Sequence, residues 1–184
     1  MHTLTILTTA LLSILSLATA SPVLEARQTT APPDRYNLRT KLVNGDHIDC
    51  GSNKTDLWVY SYHTGAGLGD AGLSSNKSVA WEGYLNGTQQ YFTYEGNELG
   101  PWPMYIGYGA YQQWNPATIS ISGIRQPYQG FFFNSTGLQY NNSLHGWLAC
   151  DWWHGVPQLF NLDGGTYGPI PKTCSKVQLL PVAV

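Results

Sequence analysis

The densest collection of chemically capable side chains is the run Cys150-Asp151-Trp152-Trp153-His154-Gly155. An exposed indole beside a carboxylate and an imidazole suits a sugar, because the ring stacks on a pyranose face while the polar groups take hydroxyl hydrogen bonds. Neighbouring strand residues point to opposite faces, so Trp152 and Trp153 do not enter one core unless a bulge or turn intervenes. The alternation that sets Trp147 and Ala149 against Leu148 and Cys150, continued along the strand, buries Trp152 and turns Trp153 outward with Asp151. Asp151, Trp153 and His154 are therefore candidate ligand-binding residues. The competing reading is an aromatic lid over the open end of a core.

A second candidate runs from Tyr62 to Asp70, where His63 and Asp70 bracket a glycine-rich stretch. No Lys-Ser/Thr pair and no strand-helix unit accompanies those glycines, so the reading is a tight surface loop that brackets a small polar pocket, not a phosphate cradle. Metal binding needs convergent ligands, and His63, His145, His154, Asp70 and Asp151 show no ligand spacing. No metal and no cofactor is expected. A copper monooxygenase would need histidine as the first mature residue, which neither Ser21 nor Gln28 supplies. Glycoside hydrolysis needs two carboxylates across a cleft, and Asp70, Glu82, Glu95, Glu98, Asp151 and Asp163 are available without a motif that marks an acid or a nucleophile. Gly-x-Ser-x-Gly is absent. No residue is singled out as catalytic, and an enzyme is the less favoured class.

The elements that position these side chains belong to a chain with an export signal. The largely apolar run Leu4 to Leu17 ends in Ala18-Thr19-Ala20, a small-x-small cleavage pattern, so residues 1–20 read as a signal peptide and the mature chain as extracellular. Residues 21–34, rich in Pro and Thr, read as a flexible or pro-segment, and residues 35–184 as one domain. Five acceptors of the Asn-x-Ser/Thr type, Asn53, Asn76, Asn86, Asn134 and Asn141, mark glycosylation sites. Charged residues make up only 11% and the formal net charge is -2 with no Lys/Arg cluster, which argues against nucleic acid as a partner. No second apolar run of about 20 residues follows, so no membrane span is expected, and Val177 to Val184 is too short for a glycolipid anchor. Three cysteines in an oxidising compartment imply one disulfide and one remaining thiol. Cys150 with Cys174 is the favoured pair, leaving Cys50 outside it.

Short runs rich in Tyr, Val, Ile, Thr and Phe recur between Gly, Asn and Pro clusters, the pattern of an all-β domain. Eleven strands are expected: 36–43, 57–63, 79–85, 90–94, 104–108, 117–122, 130–134, 138–140, 146–150, 156–160 and 175–180. Turns are expected at Asn44-Gly45, Asn86-Gly87, Asn115-Pro116, Thr136-Gly137 and Asp163 to Gly165. Trp58, Tyr60 and Tyr62 alternate with Leu57, Val59 and Ser61, leaving neither face polar, as in a β-trefoil-like fold or closed barrel. Residues 130–160 have the rhythm of one trefoil unit, and 36–60 of another. A β-sandwich is the alternative.

The chain resembles a group of small secreted fungal proteins classed as a domain of unknown function, through Tyr36 to Val43, Ser61 to Leu68, Ser75 to Lys77, Asn134 to Gln139 and Trp147 to Phe160. The region around Cys50 departs from that pattern. The C-terminal third is also similar to hyphal cell-wall proteins that share a Leu-x-Cys strand, an aromatic strand and a closing Cys. These resemblances imply a fungal source and secretion, and bring no activity with them. The function expected is a non-enzymatic cell-surface or extracellular binding protein with a glycan, such as cell-wall polysaccharide, or a host surface as partner. The alternatives are a small carbohydrate-active hydrolase and a structural cell-wall component.

Overall fold

The computed structural model of the chain describes residues 29–43, 51–96, 98–107, 114–121, 129–140, 146–152, 154–162 and 170–184. Among these the structure is all-β, a closed antiparallel barrel in one domain. Its ends are joined by strand β1 (Tyr36–Leu42) and strand β12 (Cys174–Ala183), which pair from Tyr36↔Ala183 to Leu42↔Val177. Strand β4 (Glu82–Asn86) pairs with β1 on its other side and with β5 (Gln89–Thr93) through the Gly87 turn, whose φ of 60° suits glycine. Strands β8 (Phe131–Asn134) and β9 (Gly137–Tyr140) form a second hairpin. The amides of Gly130 and Phe131 tie β8 to Thr88 at the β5 turn, and Gly137 abuts the Leu179 carbonyl of β12. The Thr30 amide also donates to the Phe133 carbonyl at 2.8 Å, attaching the N-terminal stretch to β8.

Three further hairpins cap this barrel. They are β2–β3 (Trp58–Gly65, Leu68–Ser74), β6–β7 (Trp102–Ile106, Trp114–Ile119) and β10–β11 (Trp147–Asp151, Pro157–Leu162). Each meets the other two: β3 pairs with β7 at Asp70↔Thr118, β11 with β3 at Gln158↔Gly72, and β11 with β7 from Phe160↔Pro116 to Leu162↔Trp114. A barrel capped by three mutually paired hairpins is a trefoil-like arrangement, and it replaces the sandwich alternative. The trefoil rhythm noted in residues 130–160 falls one strand out of phase. The repeat begins at β9, and β8 closes the preceding unit.

Twelve strands are present among the described residues, because the glycine-rich stretch expected as a loop forms half of the β2–β3 hairpin. Its glycines serve close packing, not loop freedom. A side chain at Gly69 would strike the Ser61 hydroxyl, and one at Gly72 would come within 3.0 Å of the Tyr60 ring. Asn115-Pro116, expected as a turn, lies inside β7. Proline is tolerated there because only its carbonyl is used, accepting from the Gly107 amide at 2.7 Å. Val79 belongs to a 3-10 turn, Lys77–Val79, and not to the following strand. The turn residues Asn44-Gly45 and Asp163 to Gly165 lie outside the described residues, as do Cys50, Asn141, His145, Trp153 and residues 1–28.

Two apolar layers result. The barrel interior holds Tyr36, Leu38, Val59, Leu73, Phe92, Met104, Ile119, Phe131, Trp147 and Leu159. A smaller outer cluster contains Leu148, Cys150, Phe160, Leu162 and Cys174. The strand alternation read for Trp147 and Ala149 against Leu148 and Cys150 separates these two layers. Cys150 and Cys174 face each other in the β10–β12 register and are joined by a disulfide, at a Cα separation of 4.0 Å.

Candidate functional site

The turn between β10 and β11 carries His154, one of the residues singled out in the sequence, which meets the β2–β3 hairpin. His154 Nε2 lies 3.0 Å from Asp70 Oδ2. Its ring stacks at a tilt on Tyr62, with centroids 4.8 Å apart. Asp70 and Tyr62 are cross-strand partners, so their side chains share one face. His63, one residue on, takes the opposite face and does not join them. Only 11% of the His154 side chain remains exposed, so this contact latches a turn and leaves little surface for a ligand.

Asp151 is engaged elsewhere. Its carboxylate accepts from the Ser52 amide at 2.8 Å and the Ser52 hydroxyl at 2.5 Å, and it lies 3.0 Å from Lys54 Nζ. Burial pushes the Asp151 carboxyl up, but the Ser52 hydrogen bonds and the Lys54 charge outweigh it and hold the group below the usual carboxylate range. A lysine that also contacts the Ser52 hydroxyl, at 3.1 Å, suggests a Ser–Lys nucleophile. Both side chains are instead tied to the Asp151 carboxylate, the hydroxyl donating to it and the lysine paired with it, which opposes that role.

Trp152 was expected in the core and is instead 40% exposed. The last ladder pair is Asp151↔Pro157. Beyond it Trp152 leaves the strand and rests edge-on against Phe160, 5.0 Å between centroids. The side of the sheet was foreseen, because Phe160 and Leu148 belong to the same outer cluster. That cluster is too small to cover an indole on both sides.

A concave site lies at a different place, where β4 and β5 begin and end. Glu82 pairs with Thr93, so the residues just outside the ladder, Trp81 and Tyr94, emerge side by side. Their rings are 4.5 Å apart at a tilt of 34°, and Tyr94 is 44% exposed. Trp81 is held on three sides. Its amide donates to the Val59 carbonyl at 3.1 Å, its carbonyl accepts from Asn37 Nδ2 at 3.1 Å, and Trp102 packs edge-on at 5.3 Å. The opposite wall is the 3-10 turn, whose cap Asn76 accepts from the Ser78 amide at 3.0 Å.

Together these form an open groove of about 610 Å³, lined among others by Asn37, Ser78, Trp81, Glu82, Tyr94 and Glu95. Glu82 is bridged to Arg35 at 3.1 Å, and Arg35 lies over the Tyr84 ring at 4.2 Å. Of the ligand-binding residues anticipated from the sequence, His63, Asp70, Asp151 and His154 do not line this groove, and Trp153 lies outside the described residues. Glu82 and Glu95 were visible only as two carboxylates without a motif. The signal was Trp81 and Tyr94 at the two free ends of a hairpin, and it becomes readable once the register is known. No group of three metal-ligating side chains occurs among the described residues.

Comparison with known proteins adds the family. No curated protein and no solved structure matches the chain. Residues 33–183, nearly all of the barrel and its cap, match the family described as Domain of unknown function (DUF7907), and the chain belongs to that family.

Proposed function

We propose that the protein is a secreted fungal glycoprotein that acts by binding, with a glycan of a cell wall or host surface as its partner. The observation that carries this reading is the Trp81–Tyr94 pair, with Trp81 anchored by Val59, Asn37 and Trp102, in an open groove edged by Asn37, Glu82 and Glu95. Aromatic faces take the apolar face of a pyranose, and flanking amides and carboxylates take its hydroxyls. Secretion is supported by the residue pattern of 1–20 and by the Cys150–Cys174 bridge, which suits an oxidising compartment. Glycosylation is supported by Asn53, Asn76 and Asn86, which are exposed, and by Asn134, whose side chain accepts from the Thr136 amide in a surface turn. Enzymatic deglycosylation that leaves the mass of the secreted protein unchanged would remove that part of the proposal.

Binding is tested by incubating the protein with insoluble polysaccharides, alongside Tyr94→Ala. The wild type should sediment with at least one polymer, and the variant should remain in the supernatant with an unaltered melting temperature, since Tyr94 is outside the core. Equal sedimentation of both would exclude the groove. A hydrolase is the second reading, favoured by Glu82 and Glu95 lining the same concavity. It requires one carboxyl to deliver a proton, whereas Glu82 already holds Arg35. Release of reducing ends from soluble glycans by the wild type, abolished in Glu95→Gln, would establish it over binding alone.

A further inference from the structure

We propose that the groove selects a saccharide bearing free, protonated amino groups, a hexosamine polymer in preference to a neutral one. This rests on the groove being the glycan site and concerns which glycan it takes. Among the described residues the lining contains the side-chain carboxylates of Glu82 and Glu95 and no lysine or arginine. Two cations near it in sequence already have partners. Arg35 holds Glu82 and covers Tyr84 outside the groove. Lys77, next to Ser78, has its Nζ 5.2 Å from the centre of the Trp58 ring. Glu95 is exposed and forms no ion pair among the described residues.

With Glu82 matched by Arg35, the charge the groove offers is that of Glu95 beside two π-faces, and an ammonium is favoured by both. Glu95 attracts it by charge, and the faces of Trp81 and Tyr94 attract it through the ring quadrupole. A sugar ring with an equatorial amino group presents an apolar face to stack and a cation at its rim. A lysine-rich peptide would meet the carboxylates equally well, but its flexible side chain offers no rigid ring face to the tilted aromatic pair.

The test is a titration of the full secreted chain with a β-1,4-linked glucosamine hexamer, its fully N-acetylated counterpart, a β-1,4-linked glucose hexamer and a lysine oligomer of matched charge. At low salt the glucosamine hexamer should bind about two- to fivefold more tightly than the two neutral hexamers, the scale of an exposed charge pair. The preference should vanish in about 1 M salt, where screening acts within a few ångströms, and in Glu95→Gln. Equal affinity for charged and neutral sugars, or a preference that survives Glu95→Gln, overturns the inference while the glycan reading stands. Affinity for the lysine oligomer matching that for the glucosamine hexamer also overturns it. Absence of binding to every sugar, with Tyr94→Ala indistinguishable from the wild type, removes the underlying reading instead.

Discussion

A lysine whose side chain has no solvent exposure is tolerated only when its charge is matched, and Lys54 meets this condition through Asp151 and the Ser52 carbonyl, the latter at 2.6 Å. The same carboxylate fastens Ser52, so one residue on β10 anchors the chain that leads into β2. Replacing Asp151 by Asn leaves the lysine facing a weaker partner and should cost about 1–3 kcal/mol at neutral pH, measured by denaturant unfolding. Because the folded-state value of Asp151 lies below the unfolded one, near 4, its contribution is complete above that value and disappears as pH falls through the folded one. The deficit of the asparagine variant should therefore shrink towards zero in strong acid. A deficit that stays constant from neutral to strongly acidic solution would show that the charge of Asp151 contributes nothing to stability.

At the level of elements, the disulfide staples β10 to β12 where the two strands run in register, across a sequence separation of 24. The chain-entropy account gives about 3 kcal/mol for such a loop, so Cys174→Ser should lower unfolding stability by about 2–5 kcal/mol. An unchanged denaturation midpoint would contradict it. This pairing was legible in the sequence because both cysteines flank one turn-rich segment and each sits on an aromatic or apolar strand. The split between Trp147 and Leu148 was legible for the same local reason, the two-residue period of a strand. Burial of Trp152 was not, because alternation tells which side a residue faces and not where the ladder stops. The groove was hidden more deeply. Trp81 and Tyr94 meet only through the Glu82↔Thr93 register, and Asn37 arrives from a strand far upstream. Glycines misled in one place: Gly69 and Gly72 look like loop residues until the Ser61 and Tyr60 side chains that need their space are brought alongside.

The whole molecule is closed by pairing its first strand with its last, and this decides how it tolerates truncation. Strand β12 supplies Val177 and Leu179 to the barrel interior, holds the disulfide and pairs with all of β1 through Val177 to Ala183. Closing a barrel removes every free edge, so losing one strand exposes two rows of unpaired backbone as well as apolar surface. At the other end, residues 29–34 are tied to the barrel by the Thr30–Phe133 hydrogen bond and are mostly exposed. A chain ending at Lys176 should therefore lose its cooperative thermal transition. A chain starting at Asp34 should keep it, with a loss of about 1 kcal/mol, the net contribution of one hydrogen bond. Circular dichroism melts of the two truncations compare them directly. A cooperative melt in the first would mean that the barrel stands without its closing strand. A collapse in the second would mean that the N-terminal stretch is part of the barrel and not an appendage to it.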